Sequence, residues 1–228
     1  MVEQAQSSMS SLRLCQLVSP ALPIGAYNFS QGLEYAGQMS WIHDENSTYQ
    51  WIAGVARHSV GTLDLPVLLR LHAAWVVHDE PAVQRWSAYL IASRESAELR
   101  AEERHLGRSL AKVLVELGIA NAADWIKHPN ATYACLFALA ATCWSLTAIE
   151  TAHGYLWAWG ENQVLAAVKL LPLGQSAGQR ILNKLLQDIP DITQSALRLS
   201  DEDIGIAAPL LGMASAWHET QYTRLFRS

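Results

Sequence analysis

The sequence predicts an all-α protein, a single-domain helical bundle of roughly ten helices. Three observations carry this. Ala and Leu dominate while Val and Thr are modest, strict polar–apolar alternation is hard to find, and no repeat or domain-sized linker interrupts the chain. Half of the 228 residues are hydrophobic and 16% are charged, against roughly 25% charged in an average soluble protein. Disorder, which needs low hydrophobicity and abundant charge, is excluded, and the length suits one domain with a sizeable core.

Taken in order, residues 1–10 form a Gln/Ser-rich start expected to be mobile, before a short helix around Leu12 to Val18. Pro20 and Pro23 in SPALP then force extended chain. Helices follow over about Ser30 to Gln38 and Asn46 to Ser59, and Pro66 sits near the start of an apolar central helix. Asp79 and Pro81 cap the next, with Val83, Trp86 and Leu90 on one face. A longer helix runs from about Arg94 to Leu117 and ends at Gly118. An uncharged helix around Ala131 to Ile149 breaks near Glu150, and the next ends ahead of Pro172. Another ends ahead of Pro190, and a last runs from about Glu202 to Trp217 with a kink at Pro209.

Charge and cysteine content narrow the function classes. Sixteen basic against 21 acidic residues give a net charge of −5, which speaks against a nucleic-acid binder relying on phosphate neutralisation. Three cysteines without a C-x-x-C pair argue against a disulfide framework and a Cys-based zinc site. The N-terminus lacks a cationic start followed by an apolar stretch, so the chain is expected to be cytoplasmic. His128 to Ile149 carries no Lys, Arg, Asp or Glu and is long enough to span a bilayer. Its Ala, Thr, Ser and Asn content and its lack of basic flanks favour a buried core helix over a membrane span. Nine Trp beside so few charges suggest apolar surface covered by another chain.

Familiar catalytic patterns are mostly absent. There is no G-x-x-x-x-G-K-[ST], no G-x-G-x-x-G after a strand, no H-E-x-x-H and no G-x-S-x-G. The eight His are scattered, and His72 and His78, six apart, do not share a helical face. In RESAELRAEERHLGR, Arg100, Arg104 and Arg108 form one stripe and Leu99, Leu106, Leu110 and Leu117 the core stripe. Glu95, Glu102 and Glu103 fall close to that core stripe. Either they are solvated at a projecting helix end, or they line a polar path at a protein interface able to hand on a divalent cation. Lys169, alone between Lys127 and Arg180, either compensates a helix dipole or offers a lone positive contact to a partner. The tail HETQYTRLFRS has the Tyr/Arg composition of an interface hot spot.

Four blocks together resemble the UreF family of urease accessory proteins: SPALPIGAYNFSQGLE, RESAELRAEERHLGRSL, ENQVLAAVKLLPLGQSAGQR and HETQYTRLFRS, in order along nearly the whole chain. The resemblance implies an all-helical, dimeric, non-enzymatic cytoplasmic protein that joins a UreD/UreH-type accessory protein and recruits the GTPase UreG. It implies that this assembly delivers nickel to the urease apoprotein, with GTP bound by UreG and no cofactor held stably by this chain. No nucleic acid, membrane or resident metal is expected. By the same resemblance, Tyr27, Phe29, Ser30, Gln31, Gly32 and Glu34 lie near partner interfaces, and Lys169, Pro172, Gly174, Gln175, Gln179 and Arg180 face UreG. Glu219, Thr220, Gln221, Tyr222, Arg224, Phe226 and Arg227 match a tail that becomes ordered against the UreD-type partner. Trp217 departs from the family, which usually carries a basic residue there; Asn28 replaces a commoner Ser. The rival readings are a helical enzyme with a carboxylate site around residues 95–103 and a membrane protein using His128 to Ile149.

Overall fold

The computed structural model describes residues 2–205 and 208–228, with side chains from residue 8 onward. Residue 1 of the start expected to be mobile, and residues 206–207 of the expected last helix, lie outside the described residues. The described residues are helical and contain no strand. The helices are α1 (Val2–Leu17), α2 (Leu33–Gln38), α3 (Glu45–Val55), α4 (Leu65–Val76), α5 (Glu80–Ala92) and α6 (Ala97–Glu116). They continue with α7 (Tyr133–Cys143), α8 (Ala148–Leu170), α9 (Gln175–Arg198) and α10 (Pro209–His218).

Five of the ten helix starts are set by a side chain that accepts one of the otherwise orphaned first-turn amides. Asp44 caps α3 and Thr147 caps α8, each in a reciprocal capping box, with Ser47 and Glu150 respectively. Asp79, Ser96 and Thr132 cap α5, α6 and α7. The centre of the molecule is α7, whose residues 134–141 are all buried. It packs on α4 and α6, while α8 pairs with α9.

Several expected boundaries move. The first helix begins at Val2 rather than near Leu12, and the second at Leu33, behind Gly32. Gly32 has φ +78°, and a Cβ there would lie 3.0 Å from the Cβ of Ala214 on α10. The uncharged stretch is not one helix: α7 stops at Cys143, and the Thr147–Glu150 box opens α8 after a short loop. Among the described residues no helix is long and apolar enough to cross a membrane.

Pro190 lies inside α9 rather than beyond a helix end. A proline in a helix interior costs about 3 kcal/mol, but this one is exposed. The opposite face buries Ile181, Leu185, Ile189 and Ile192 and carries the helix through. The last helix starts at Pro209, a favourable first position, instead of kinking there.

Between α3 and α4 the chain widens into a nine-residue π-helix, Ala56–Asp64. Gly61 permits it, since a Cβ there would stand 2.8 Å from Ile192 and 2.9 Å from the Ala56 carbonyl. The bulge turns its last residue, Asp64, into the protein interior. The tryptophans are mostly covered by the chain itself. Trp75 and Trp125 are buried, and only Trp217 of the nine is exposed, packed against the rings of Tyr35 and Trp41.

Candidate functional site

The tail does not hang free. After α10 it folds back over the N-termini of α2 and α6, into a groove lined by carboxylates. Glu34 of α2, buried, accepts the consecutive amides of Leu225 (2.7 Å) and Phe226 (2.9 Å). A main-chain oxygen of Ser228 accepts from both the amide (2.8 Å) and hydroxyl (2.6 Å) of Ser30, and the Arg227 amide donates to the Asn28 carbonyl at 2.8 Å. Arg224 donates to Glu98 at 2.5 Å, and the Ser228 hydroxyl to Glu102 at 2.6 Å. Phe226 is buried, with the Lys169 ammonium 5.0 Å from its ring centre. Glu219 accepts the amides of Ala97 (2.7 Å) and Glu98 (3.2 Å), capping α6 from outside.

His218 closes the groove from behind. It is completely buried, with Nδ1 2.7 Å from Glu98 and Nε2 3.1 Å from Glu34. Two of the three carboxylates that receive the tail, Glu34 and Glu98, are therefore positioned by the last residue of α10.

Deeper, Arg94 links Asp64 and Glu103 in a buried ionic cluster: its guanidinium donates to both Asp64 oxygens and at 2.6 Å to Glu103. Burial alone would depress the guanidinium, but Asp64 and Glu103 hold its pKa well above the ordinary value. Tyr155 reaches Asp64 at 3.4 Å. Glu102 is pushed up by burial to a pKa of about 7, although hydrogen bonds from Ser228 and Gln31 oppose this. Gln31 donates to Glu102 at 2.8 Å and accepts from the Trp159 indole at 2.8 Å. Asp64, Arg94, Glu102 and Glu103 share the wall of one cavity of about 50 Å³.

The expected residues therefore divide. The solvated reading of the charged helix end fails for Glu102 and Glu103, which are buried. Glu95 is exposed and lies against Gly212, away from them. The Arg stripe is committed to structure, with Arg100, Arg104 and Arg108 donating to the carbonyls of Arg94, Pro129 and His128. The helix's buried leucines are Leu99, Leu106, Leu110 and Leu114, whereas Leu117 lies just beyond its end and is half-buried. Phe29, Ser30, Glu34 and Phe226 are buried against the chain's own tail and groove, while Tyr27 and Tyr222 are exposed. Lys169 lies in the last turn of α8 and also touches the tail. Pro172, Gly174, Gln175, Gln179 and Arg180 form an exposed run into α9, where Arg180 pairs with Glu45 at 2.7 Å. Glu98, His218 and Asp64 were not singled out from the sequence. Only Asp64's place beside a proline-bearing helix start and Glu98's in a first helical turn hinted at them. Among the described residues no three His, Cys, Asp or Glu side chains are arranged to hold a metal ion.

The UreF family model matches residues 42–186 of this chain. A urease accessory protein UreF of Alkalilimnicola ehrlichii is 45% identical over 228 residues, covering all of both chains. The chain belongs to the UreF family. A UreF of Teredinibacter turnerae is 46% identical over 95% of this chain and 98% of its own length. One of Hahella chejuensis is 43% identical over 96% and 99%. The family match covers α3 to α8 whole, and the full-length relatives extend it to the tail and the groove that holds it.

Proposed function

We propose that this UreF-family chain is a non-enzymatic scaffold of urease maturation. It joins a UreD/UreH-type accessory protein to the GTPase UreG and acts in GTP-dependent nickel delivery to the urease apoprotein, as a cytoplasmic homodimer. The observation that supports this best is the convergence of the N-terminal block, Lys169 and the tail on one groove. With the inner residues of that groove filled, its outward surface includes Tyr27, Tyr222, Leu225 and Arg227, residue types common at protein interfaces. We assign this surface to the UreD-type partner and the exposed run from Pro172 to Arg180 to UreG. Nickel is the cargo of the assembly, and the buried carboxylates Glu102 and Glu103 are the polar groups of this chain that line its route. Glu95 stands apart from that route.

The test is co-purification with the UreD-type partner. Tyr222→Ala with Arg227→Ala removes two exposed side chains and none of the tail's hydrogen bonds. Complex recovery should fall about tenfold or more with thermal stability unchanged; undiminished recovery would remove the assignment.

A further inference from the structure

A pocket of about 290 Å³ shares no residue with the tail groove or with the cavity around Arg94. Three segments build it. The last turn of α4 brings Trp75, and the start of α5 brings Glu80 and Gln84, one turn apart on the same face. The short 3-10 helix Ala120–Trp125 brings Asn121, Asp124 and Trp125, with His128 just beyond it.

One side of the pocket is aromatic and held in place. Trp75 and Trp125 are buried and meet edge to face at 6.0 Å, and the His128 ring lies 4.6 Å from that of Trp125. The Trp75 indole N–H donates to the Cys135 carbonyl at 3.1 Å, which fixes that ring from behind. His128 Nδ1 accepts the Asn130 amide at 3.2 Å, so this nitrogen carries no proton and the ring brings no positive charge.

The other side is polar and unsatisfied. The side chains of Glu80, Gln84, Asn121 and Asp124 make no hydrogen bond to the described residues, and neither carboxylate forms an ion pair with them. Glu80, in the first turn of α5, also favours that helix start, but this role accounts for neither Asp124 nor the two amides. Two free carboxylates call for a cation. A metal ion would find too few ligands here, since no three His, Cys, Asp or Glu side chains among the described residues are arranged to hold one. A guanidinium fits both sides. It is planar and weakly hydrated, so it stacks on indole rings, and its fork of five N–H donors matches carboxylate oxygens in pairs. Donors left over can reach the amide carbonyls of Gln84 and Asn121. A compact, strongly hydrated ammonium gains less from either side.

We infer that this pocket is a binding site for a guanidinium group, with Glu80 and Asp124 as its carboxylate pair and Trp75 and Trp125 as its aromatic wall. The site uses no residue of the partner surfaces assigned above and does not depend on that assignment.

The experiment titrates the full-length protein by calorimetry and by NMR. Butylguanidinium should bind saturably with a Kd of about 1 mM or below, and butylammonium at least about fivefold more weakly. The Trp125 indole and His128 ring resonances should move while those of Trp217 stay. Glu80→Gln with Asp124→Asn should weaken butylguanidinium at least about tenfold at unchanged Tm. Glu116→Gln, which alters an exposed carboxylate outside the pocket, should leave the affinity as it was. Acetyl-arginine amide separates the sources of the group. Affinity equal to that of butylguanidinium assigns the pocket to an arginine side chain of a protein, and weaker affinity to a free small molecule. Binding that does not saturate, equal affinity for the two butyl cations, or an unweakened double variant overturns the inference. Should the double variant not fold, resonance shifts in the unaltered protein that bypass Trp125 and His128 overturn it.

Discussion

Arg94 is held by two buried carboxylates, so its removal leaves two buried negative charges without their cation. Arg94→Met should destabilise the protein by about 3–5 kcal/mol, the usual cost of breaking a buried ion pair from one side. Urea unfolding measures it, and a loss below about 1 kcal/mol would show the cluster to be hydrated instead. Glu102 makes a different prediction, in pH. Its folded pKa of about 7 stands above its ordinary 4.5 because burial disfavours the ionised form. Below the ordinary value both folded and unfolded chains hold the proton. Between the two values only the folded chain does, so stability falls as pH rises and the full loss, about 3 kcal/mol, is reached above neutrality. Glu102→Gln should flatten that slope while still accepting from Ser228, and urea midpoints measured across this interval decide it. The sequence places Glu102 and Glu103 near the apolar face of α6. It does not say whether the helix end protrudes or is covered, and that alone separates a solvated carboxylate from one with a shifted pKa.

At the scale of elements, helix starts were the most legible feature. Asp79 is readable as a cap, and Thr147 with Glu150 carries the spacing of a capping box. The proline signal at Pro190 misled because it describes local cost only. Pro190 sits on a solvent face of a helix whose other face is buried along its length, and packing outweighs the missing amide. The π-helix was not legible at all, since its spacing is set by contact between Gly61 and α9. Close approach elsewhere gives a further test. A Cβ at Gly107 on α6 would fall 2.6 Å from the backbone of Thr132 and 2.7 Å from that of Ala131. Backbone cannot rotate aside as a side chain can. Gly107→Ala should therefore cost about 1–3 kcal/mol by forcing α6 from the start of α7, visible as a lowered Tm. An unchanged Tm would mean that the contact relaxes freely.

For the whole molecule, the abundance of tryptophan first suggested surface covered by another chain. The fold itself covers eight of the nine at least in part, leaving Trp217 on an aromatic patch with Tyr35 and Trp41. The proposed homodimer therefore predicts a light-scattering mass twice the 25.1 kDa of the chain, independent of the Trp count. A mass of one chain at micromolar concentration would remove the dimer from the proposal. Trp217, the family departure, meets the tail only through its carbonyl; its side chain packs elsewhere, so the departure does not touch the seating of residues 224–228.

By itself the sequence determined the all-α class, the cap at Asp79 and the family, because these depend on residues close along the chain or on blocks matched in order. Only the tertiary structure decided which carboxylates are buried and that the tail lies on Glu34, Glu98 and Glu102. The physical reason is separation. Ser228 meets Glu102 across 126 residues and His218 meets Glu34 across 184. Helical periodicity fixes which face a side chain occupies, but what covers that face is settled only when distant segments pack against it.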